Sequence, residues 1–295
     1  MIRDISLRRY GPVPQHAWIL LLLLGTLTGI SAERRPELVF TQSIGGILNP
    51  LGFLSESRVL YRMPLSRDTG ILFNSTKLEL GIVNEWSPAD EMPGIAFNIE
   101  PIALFNIWVK AGLYEQYRLF GFGYRKLDGK NGPYHDSIVA DISRENRTGS
   151  RITIAPSLKM KAGPVIVADN VTCNRIDLFN TEEYFYEIRT ALPHYSHDFN
   201  FINDLIVLYE WSSRLRTGVN YNLVYVRGTE VRQQKLGAMV ISTPLHRKLH
   251  SLFGLVTGGI YLESQIRHHG FYIAALGGFE IPLRIRRDGY RHSEK

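Results

Sequence analysis

The stretch Asn200–Val226, NFINDLIVLYEWSSRLRTGVNYNLVYV, decides the predicted fold. Its second half alternates between two faces, with Thr217, Val219, Tyr221, Leu223 and Tyr225 on one and Arg216, Gly218, Asn220 and Asn222 on the other. Its first half has the same period, with Leu205, Val207, Tyr209 and Trp211 on the face opposite Asp204 and Glu210. A period of two residues is typical of β-strands with one apolar and one polar face. The stretch therefore predicts a β-hairpin.

The apolar face of such a hairpin has two alternative environments. In a soluble sheet it would contact a core, whereas in a membrane barrel it would contact lipid and the polar face would line the lumen. Strand patterns recur along the chain, at 51–64, 71–86, 93–101, 104–118, 150–162, 164–173, 183–192, 232–243, 249–264 and 268–285. Each has about ten residues, the length that a tilted strand needs to cross a bilayer. We therefore predict an all-β, antiparallel up-and-down transmembrane β-barrel of about 12 strands, in a range of roughly 10 to 14 because 119–143 could add a hairpin.

The composition favours the same fold class. The chain contains 15 tyrosines, 14 phenylalanines and 26 glycines, which fits a β-rich protein with aromatic girdles. The single cysteine, Cys173, excludes an internal disulfide, so burial or closed sheet hydrogen bonding must supply the stability. The formal net charge of +6 comes from scattered basic residues, and this excludes a nucleic-acid partner as the expected function.

The N-terminal residues 1–32 predict a cleaved signal peptide. Basic residues precede the apolar run Trp18–Ile30, and Ser31-Ala32 supplies small residues for cleavage near Ala32. The run is shorter than the roughly 20 residues of a membrane helix. The predicted organisation is a signal peptide at 1–32, a segment of uncertain structure at 33–50 (loop, short helix or plug), a barrel at 51–285 and a basic tail at 286–295.

The end of the predicted barrel resembles a known class. Gly278–Leu283, GFEIPL, resembles the ending that bacterial outer-membrane β-barrels present to their insertion machinery, although its last apolar residue is not aromatic and a basic tail follows. The resemblance to this broad class covers the mature chain as a pattern and identifies no specific family. It implies a location in the outer membrane of a Gram-negative envelope. The implied partners are the barrel insertion machinery, outer-membrane lipid and lipopolysaccharide.

One short segment, Pro193–Asp198, is a candidate catalytic site. In an extended chain His194 and Ser196 project from the same face, and histidine is the usual base that activates a serine nucleophile. The pair resembles the His-x-Ser pair of outer-membrane lipid A deacylases, and that resemblance makes Glu210 or Asp204 the acidic partner. The alternative is a solvated polar loop. Counting back from a last strand that ends in the periplasm places the 193–199 loop outside the cell and the 119–149 stretch on the periplasmic side, unless 119–149 holds its own hairpin.

The polar faces of the predicted strands supply the lumen-lining residues. These are Arg58, Arg62, Lys77, Glu79, Lys110, Lys159, Lys161, Asp204, Glu210, Arg216, Asn220, Asn222 and Glu280. Their mixed charges indicate a balanced network that fills a narrow barrel, with a mild anion preference as the alternative. No HExxH, CxxC, EF-hand, P-loop or dinucleotide motif occurs, so we expect neither a metal nor a cofactor.

The expected function is that of a porin-like integral outer-membrane barrel with a structural or small-solute passive transport role, and not that of an enzyme. Two alternatives remain open. The first is an outer-membrane lipid hydrolase that uses His194, Ser196 and Glu210, and the second is a soluble periplasmic β protein. No feature of the sequence specifies the solute or the oligomeric state.

Overall fold

The computed structural model describes residues 36–49, 51–66, 72–73, 75–117, 123–129, 144–244, 251–264 and 270–283. The predicted signal peptide and basic tail lie outside these ranges. The strands are β1(Glu37–Leu48), β2(Gly52–Pro64), β3(Lys77–Trp86), β4(Asp90–Ile102), β5(Phe105–Gln116), β6(Tyr124–Leu127), β7(Arg144–Glu145), β8(Arg147–Ala162), β9(Val165–Leu178), β10(Tyr184–Glu187), β11(Leu192–Tyr195), β12(His197–Ser212), β13(Leu215–Val226), β14(Val231–Ser242), β15(Ser251–Glu263) and β16(Phe271–Leu283). No helix in the described ranges is long and apolar enough to cross a membrane.

Twelve of these strands form a closed antiparallel barrel, which confirms the predicted fold class. Their order around the barrel is β1-β16-β15-β14-β13-β12-β9-β8-β5-β4-β3-β2. The predicted hairpin is β12 and β13, with Val207 paired to Val219. Gly218 lies in this hairpin where a Cβ atom would overlap the carbonyl oxygen of Val207, so only glycine fits.

The barrel begins at β1, and the predicted start at residue 51 was wrong. β1 pairs with β2 on one side and with β16 on the other, so it closes the barrel. Its Gly45-Gly46 pair and its polar residues weaken the alternation, and the closing partner lies more than 200 residues away, which a local pattern cannot reveal. The predicted barrel strand at 183–192 was also wrong, because that segment forms the short strand β10, a turn and the start of β11 outside the barrel wall.

The two faces of the barrel wall have opposite chemistry. We call the alternate residues whose polar side chains meet across the interior the inward rows; Lys110 of β5, for example, reaches Glu56 of β2, three strands away. The other residues form the outward rows, where apolar side chains are exposed, such as Ile82 (62%), Ile95 (61%) and Val219 (51%). A continuous apolar exterior of this extent is typical of a barrel that faces lipid, and it argues against the soluble alternative.

Two insertions leave the barrel wall at the same end, opposite the start of β1 and the end of β16. One joins β5 to β8 and holds β6 and β7, and the other joins β9 to β12 and holds β10 and β11. The four short strands form a sheet in the order β11-β10-β6-β7. The 193–199 segment and the described parts of 119–149 therefore lie at one end. The prediction that separated them was wrong because it counted 183–192 as a strand that crosses the barrel.

Candidate functional site: a hairpin across the barrel mouth

The β10–β11 hairpin lies across the barrel mouth. Leu192 packs against Val224 and Val226 of β13, while Arg189 at the hairpin tip contacts residues of β3 and β4. In the order around the barrel, β13 lies opposite β3 and β4. The hairpin therefore bridges opposing walls and narrows the entrance to the lumen.

Aromatic and aliphatic side chains fix the base of the hairpin. Phe185 is fully buried in a cluster with Tyr114, Tyr124, Ile176 and Leu178 of the barrel rim and of β6. Phe185 and Tyr124 stack with ring centroids 5.5 Å apart. A buried Phe or Leu side chain contributes about 1.5–3 kcal/mol, so the apolar contacts alone dock the hairpin firmly.

The tip of the hairpin is held by charge. The Arg189 Nε and Nη2 groups donate to Asp90 Oδ1 at 2.9 and 2.5 Å, and Nη1 donates to Glu85. Both carboxylates are almost completely buried, and Glu85 also pairs with Lys110. Burial disfavours the charge of Arg189, but Asp90 and Glu85 raise its pKa, so the side chain remains cationic.

Glu187 shapes the turn that presents Arg189. One carboxylate oxygen of Glu187 accepts from the Thr190 backbone N at 2.6 Å and from its hydroxyl at 2.8 Å. The other accepts from the Tyr114 hydroxyl at 3.0 Å. Ala191 closes the turn in the left-handed region, with φ 58°. These contacts fix the loop so that Arg189 points into the barrel.

The outer layer of the inserted sheet is also anchored by a carboxylate. Glu183 accepts from the Tyr124 hydroxyl at 2.7 Å and pairs with Lys126 at 2.5 Å. Burial by itself would raise the pKa of Glu183, but the hydrogen bonds from Lys126 and Tyr124 lower it from its ordinary 4.5 to about 2. Glu183 is therefore charged at neutral pH and links the two insertions.

Below the hairpin the lumen contains a cation–aromatic pair and then an apolar layer. Arg58 lies over the Trp108 ring at 4.3 Å, next to a buried layer of Leu60, Val83 and Ala96. Beyond this layer, Arg62 contacts Glu79, Glu280 and Glu37 at 2.5, 2.8 and 3.3 Å. The lumen thus has a charged layer at the mouth, an apolar layer, and an acidic layer towards the end that holds β1's first residue.

All thirteen residues predicted to line the lumen lie in the inward rows. They are Arg58, Arg62, Lys77, Glu79, Lys110, Lys159, Lys161, Asp204, Glu210, Arg216, Asn220, Asn222 and Glu280. Many of them pair with one another: Glu210 accepts from Lys161 at 2.6 Å and from Arg216 at 2.8 Å. The prediction missed several inward residues, namely Glu56, Asp90, Arg151, Asn174, Arg189 and Asn200. Arg151 lies on the polar face of its predicted strand, so the alternation could have identified it. Arg189 lies outside the predicted alternation, and no sequence pattern marked it as an inward residue.

The structure does not bring the predicted catalytic residues together. Ser196 donates its hydroxyl hydrogen bond to the Glu183 carbonyl at 2.8 Å, which anchors the loop. Glu210 lies 14 positions further along the extended chain, about 45 Å away, and it pairs with Lys161 and Arg216. Asp204, the other candidate acid, accepts from Asn222. The residues are separated because they occupy a loop and the length of one strand.

His194 has a structural role in this arrangement. It is fully buried, its Nε2 accepts from Asn200 Nδ2 at 3.0 Å, and its Nδ1 contacts the Leu192 carbonyl at 3.2 Å. Burial lowers its pKa, which favours the neutral ring. A neutral tautomer with the proton on Nδ1 satisfies both contacts, so His194 fastens β11 to β12.

Comparisons with known proteins identify no family for this chain. No protein-family model matches the chain, and no curated protein sequence is similar to it. Similar solved structures include OmpT, an outer membrane protein of Vibrio cholerae in its trimer form (6% identity, 84% of this chain and 98% of that chain, TM-score 0.35), and the KdgM porin (9%, 84% and 99%, 0.35). The β domain of the Bordetella autotransporter BrkA is also similar (9%, 84% and 98%, 0.41).

Proposed function

We propose that the protein is an integral barrel of the bacterial outer membrane that allows small solutes to pass passively. The observation that carries this proposal is the wetted, polar lumen. Inward side chains along its length retain contact with solvent, among them Arg216 (26%), Glu280 (21%) and Lys110 (14%). Hydrated charged side chains along the axis fit a lumen that holds water and lets small polar solutes pass.

The hairpin sets the size limit of the proposed passage. It spans the mouth from β13 to β3 and β4 but leaves a cavity of about 570 Å³ beside it, lined by β1, β2 and β16. In this proposal, a solute enters through this space. The proposal therefore concerns small molecules, and it excludes the wide aqueous pore of the largest porins.

The charges of the lumen predict weak ion selectivity. At the mouth, cations and carboxylates pair closely: Arg58, Lys110, Arg151 and Arg189 meet Glu56, Glu85 and Asp90. Such pairs cancel most of one another's field. Further down, Arg62 faces three carboxylates, which favours cations at that end.

Reconstitution into planar bilayers tests this proposal. We expect small, steady conductance steps, and we expect liposomes that contain the protein to admit small sugars but not oligosaccharides. Envelope fractionation and heat-modifiable migration provide the control that the barrel is folded and in the membrane. A folded, membrane-inserted protein that shows neither conductance nor solute uptake would leave a structural role instead.

A further inference from the structure

One carboxylate lies among the apolar side chains of the outward rows. Asp169 of β9 is paired in register with Leu158 of β8 and with Leu205 of β12, which are 42% and 40% exposed on the outer surface of the barrel. Directly opposite residues of neighbouring strands share one face of a sheet. Asp169 therefore points away from the lumen and into the surface that would face lipid.

Asp169 lies near the middle of this apolar surface. Its register partner Leu205 is four residues from Phe201 towards the mouth and four residues from Tyr209 towards the opposite end, and both aromatic side chains are exposed on the same face. At about 3.3 Å per residue, each of them is about 13 Å away along the strand. The apolar band of a membrane barrel is about 25 Å tall between its aromatic girdles. The short side chain of Asp169 is therefore too deep to reach either aqueous surface.

Other charged residues of the outward rows lie near the mouth, where water can solvate them. In the described strands, residues of this kind within three positions of the mouth end include Glu91, Glu115, Arg175 and Arg232. Asp169 is four positions from one end of β9 and nine from the other. An ionisable residue at the depth of the hydrocarbon is costly and marks a functional contact by default.

The carboxylate is incompletely satisfied within its own barrel. Asn203 of β12, whose register partners are Val171 and Leu223, lies in the same outward surface, and its Nδ2 atom donates to Asp169 Oδ1 at 2.5 Å. Among the described residues this is the one hydrogen bond of either side chain. One carboxylate oxygen of Asp169 and one amide hydrogen of Asn203 are thus open, and both side chains are only half-buried. Hydrocarbon offers no partner for either atom.

A second polar group of the outward rows does not share this feature. Gln42 of β1 donates to the Ser55 hydroxyl of β2 at 2.8 Å and accepts from the Ser57 hydroxyl. Its donor and its acceptor are both satisfied inside one barrel. The pair formed by Asp169 and Asn203 is therefore the polar group of the outer wall that calls for an external partner.

We propose that the outward face of β9 and β12 binds the same face of a second copy of this chain, across a two-fold axis parallel to the membrane normal. The patch carries both a donor and an acceptor, so a two-fold rotation brings Asn203 of each copy against Asp169 of the other. The two copies insert in the same direction, so their patches lie at the same depth. Each carboxylate then accepts from two amides, which stand between the two carboxylates, and Leu158, Val171 and Leu205 pack around them.

The self-complementary patch specifies a dimer. A ring of three or more copies needs two different patches that match each other, whereas one patch that matches itself closes with two copies. The inference rests on the proposed function only in that it places the barrel in a bilayer. It does not depend on solute passage.

Sedimentation equilibrium of the full protein in density-matched detergent micelles tests the dimer. Two hydrogen bonds to charged groups cross the interface, and each is worth at least roughly tenfold in an equilibrium constant. Asp169→Leu should therefore raise the dimer dissociation constant about a hundredfold, and Asp169→Asn, which keeps an acceptor, should raise it less. The matched control Gln42→Leu removes an outward polar group that is satisfied in its own barrel, and it should leave the constant unchanged. Heat-modifiable migration checks that each variant is folded.

Disulfide cross-linking in liposomes locates the interface. In a Cys173→Ser background, Val171→Cys places a thiol beside the polar pair, and copper phenanthroline should link two copies through it. Ile82→Cys places a thiol on β3, on a distant part of the outer wall, where the native side chain is 62% exposed. It should form few links. Adding Asp169→Leu to Val171→Cys should reduce the links to that level.

The outcomes separate the dimer from the proposed function. A monomeric parent protein, an unchanged dimer in Asp169→Leu, or equal cross-linking at positions 171 and 82 would overturn the interface. Co-flotation with the liposomes reports insertion in the same samples. A protein that floats as a monomer would keep the membrane barrel and lose the dimer, whereas a protein that does not insert would lose both.

Discussion

Replacing Arg189 by methionine tests whether charge holds the hairpin across the barrel mouth. Methionine keeps most of the side-chain volume and removes the cation that Asp90 and Glu85 share. Breaking a buried ion pair by removing one partner costs about 3–5 kcal/mol. Glu85 keeps its contacts with Lys110 and Arg151, so the loss falls mainly on Asp90. We therefore expect a cost at the lower end of this range, about 3 kcal/mol. A change of this size shifts the equilibrium between the docked and the undocked hairpin roughly a hundredfold towards the undocked state.

The docked fraction can be followed by chemical labelling. Ala191→Cys in a Cys173→Ser background places a thiol at a position that is 2% exposed while the hairpin is docked. The labelling rate with a membrane-impermeant maleimide should rise roughly a hundredfold in Arg189→Met, if opening precedes reaction. Planar-bilayer recordings of the same variant should show brief openings to a larger conductance more often than in the parent protein, because the undocked hairpin no longer narrows the mouth.

Two further variants isolate the cause. Arg175→Met removes an exposed arginine paired with Asp177, which is worth at most about 1 kcal/mol, so its labelling rate should rise less than about fivefold. Adding Asp90→Asn to Arg189→Met removes the unpaired buried charge and should restore slow labelling. Equal labelling in the Arg189 and Arg175 variants, or no rescue by Asp90→Asn, would refute the reasoning.

Three other predictions concern the barrel wall and the inserted sheet. Val219→Arg places a charge on the outward rows and should lower the free energy of unfolding from lipid vesicles by about 2–4 kcal/mol. Asn222→Arg in the neighbouring inward row should lower it by less than about 1 kcal/mol, and urea titration compares the two variants. Gly218→Ala should impair folding because its Cβ overlaps backbone, while Gly254→Ala, with open space around its Cβ, should fold normally in a heat-modifiability assay. The pKa of Glu183 is lowered in the folded state, so Glu183 stabilises the inserted sheet above about pH 4.5 and this stabilisation is lost as the pH falls towards 2. Amide hydrogen exchange of residues 183–196 should show the loss. Glu183→Gln should abolish this pH dependence without changing the rest of the barrel.

The sequence alone determined most strands of the barrel wall. Period-two alternation is a local property of an extended chain, since successive side chains point to opposite faces. It therefore identified β12 and β13, the apolar exterior, and the inward placement of residues as distant as Arg58 and Glu280. Strand length and the absence of disulfides narrowed the fold to a membrane barrel without any knowledge of pairing.

Only the tertiary structure decided what fills the barrel and how it closes. β1 has a weak pattern and becomes a strand because β16 and β2 supply its hydrogen bonds. Arg189 has no local partner, since Asp90 and Glu85 precede it by 99 and 104 residues. His194 and Ser196 resembled a catalytic pair because a three-residue pattern carries no information on burial. In the folded chain His194 is buried and links β11 to β12, and Ser196 anchors its loop through the Glu183 carbonyl. Contacts across the lumen depend on the closed ring of strands, and no local pattern encodes that ring.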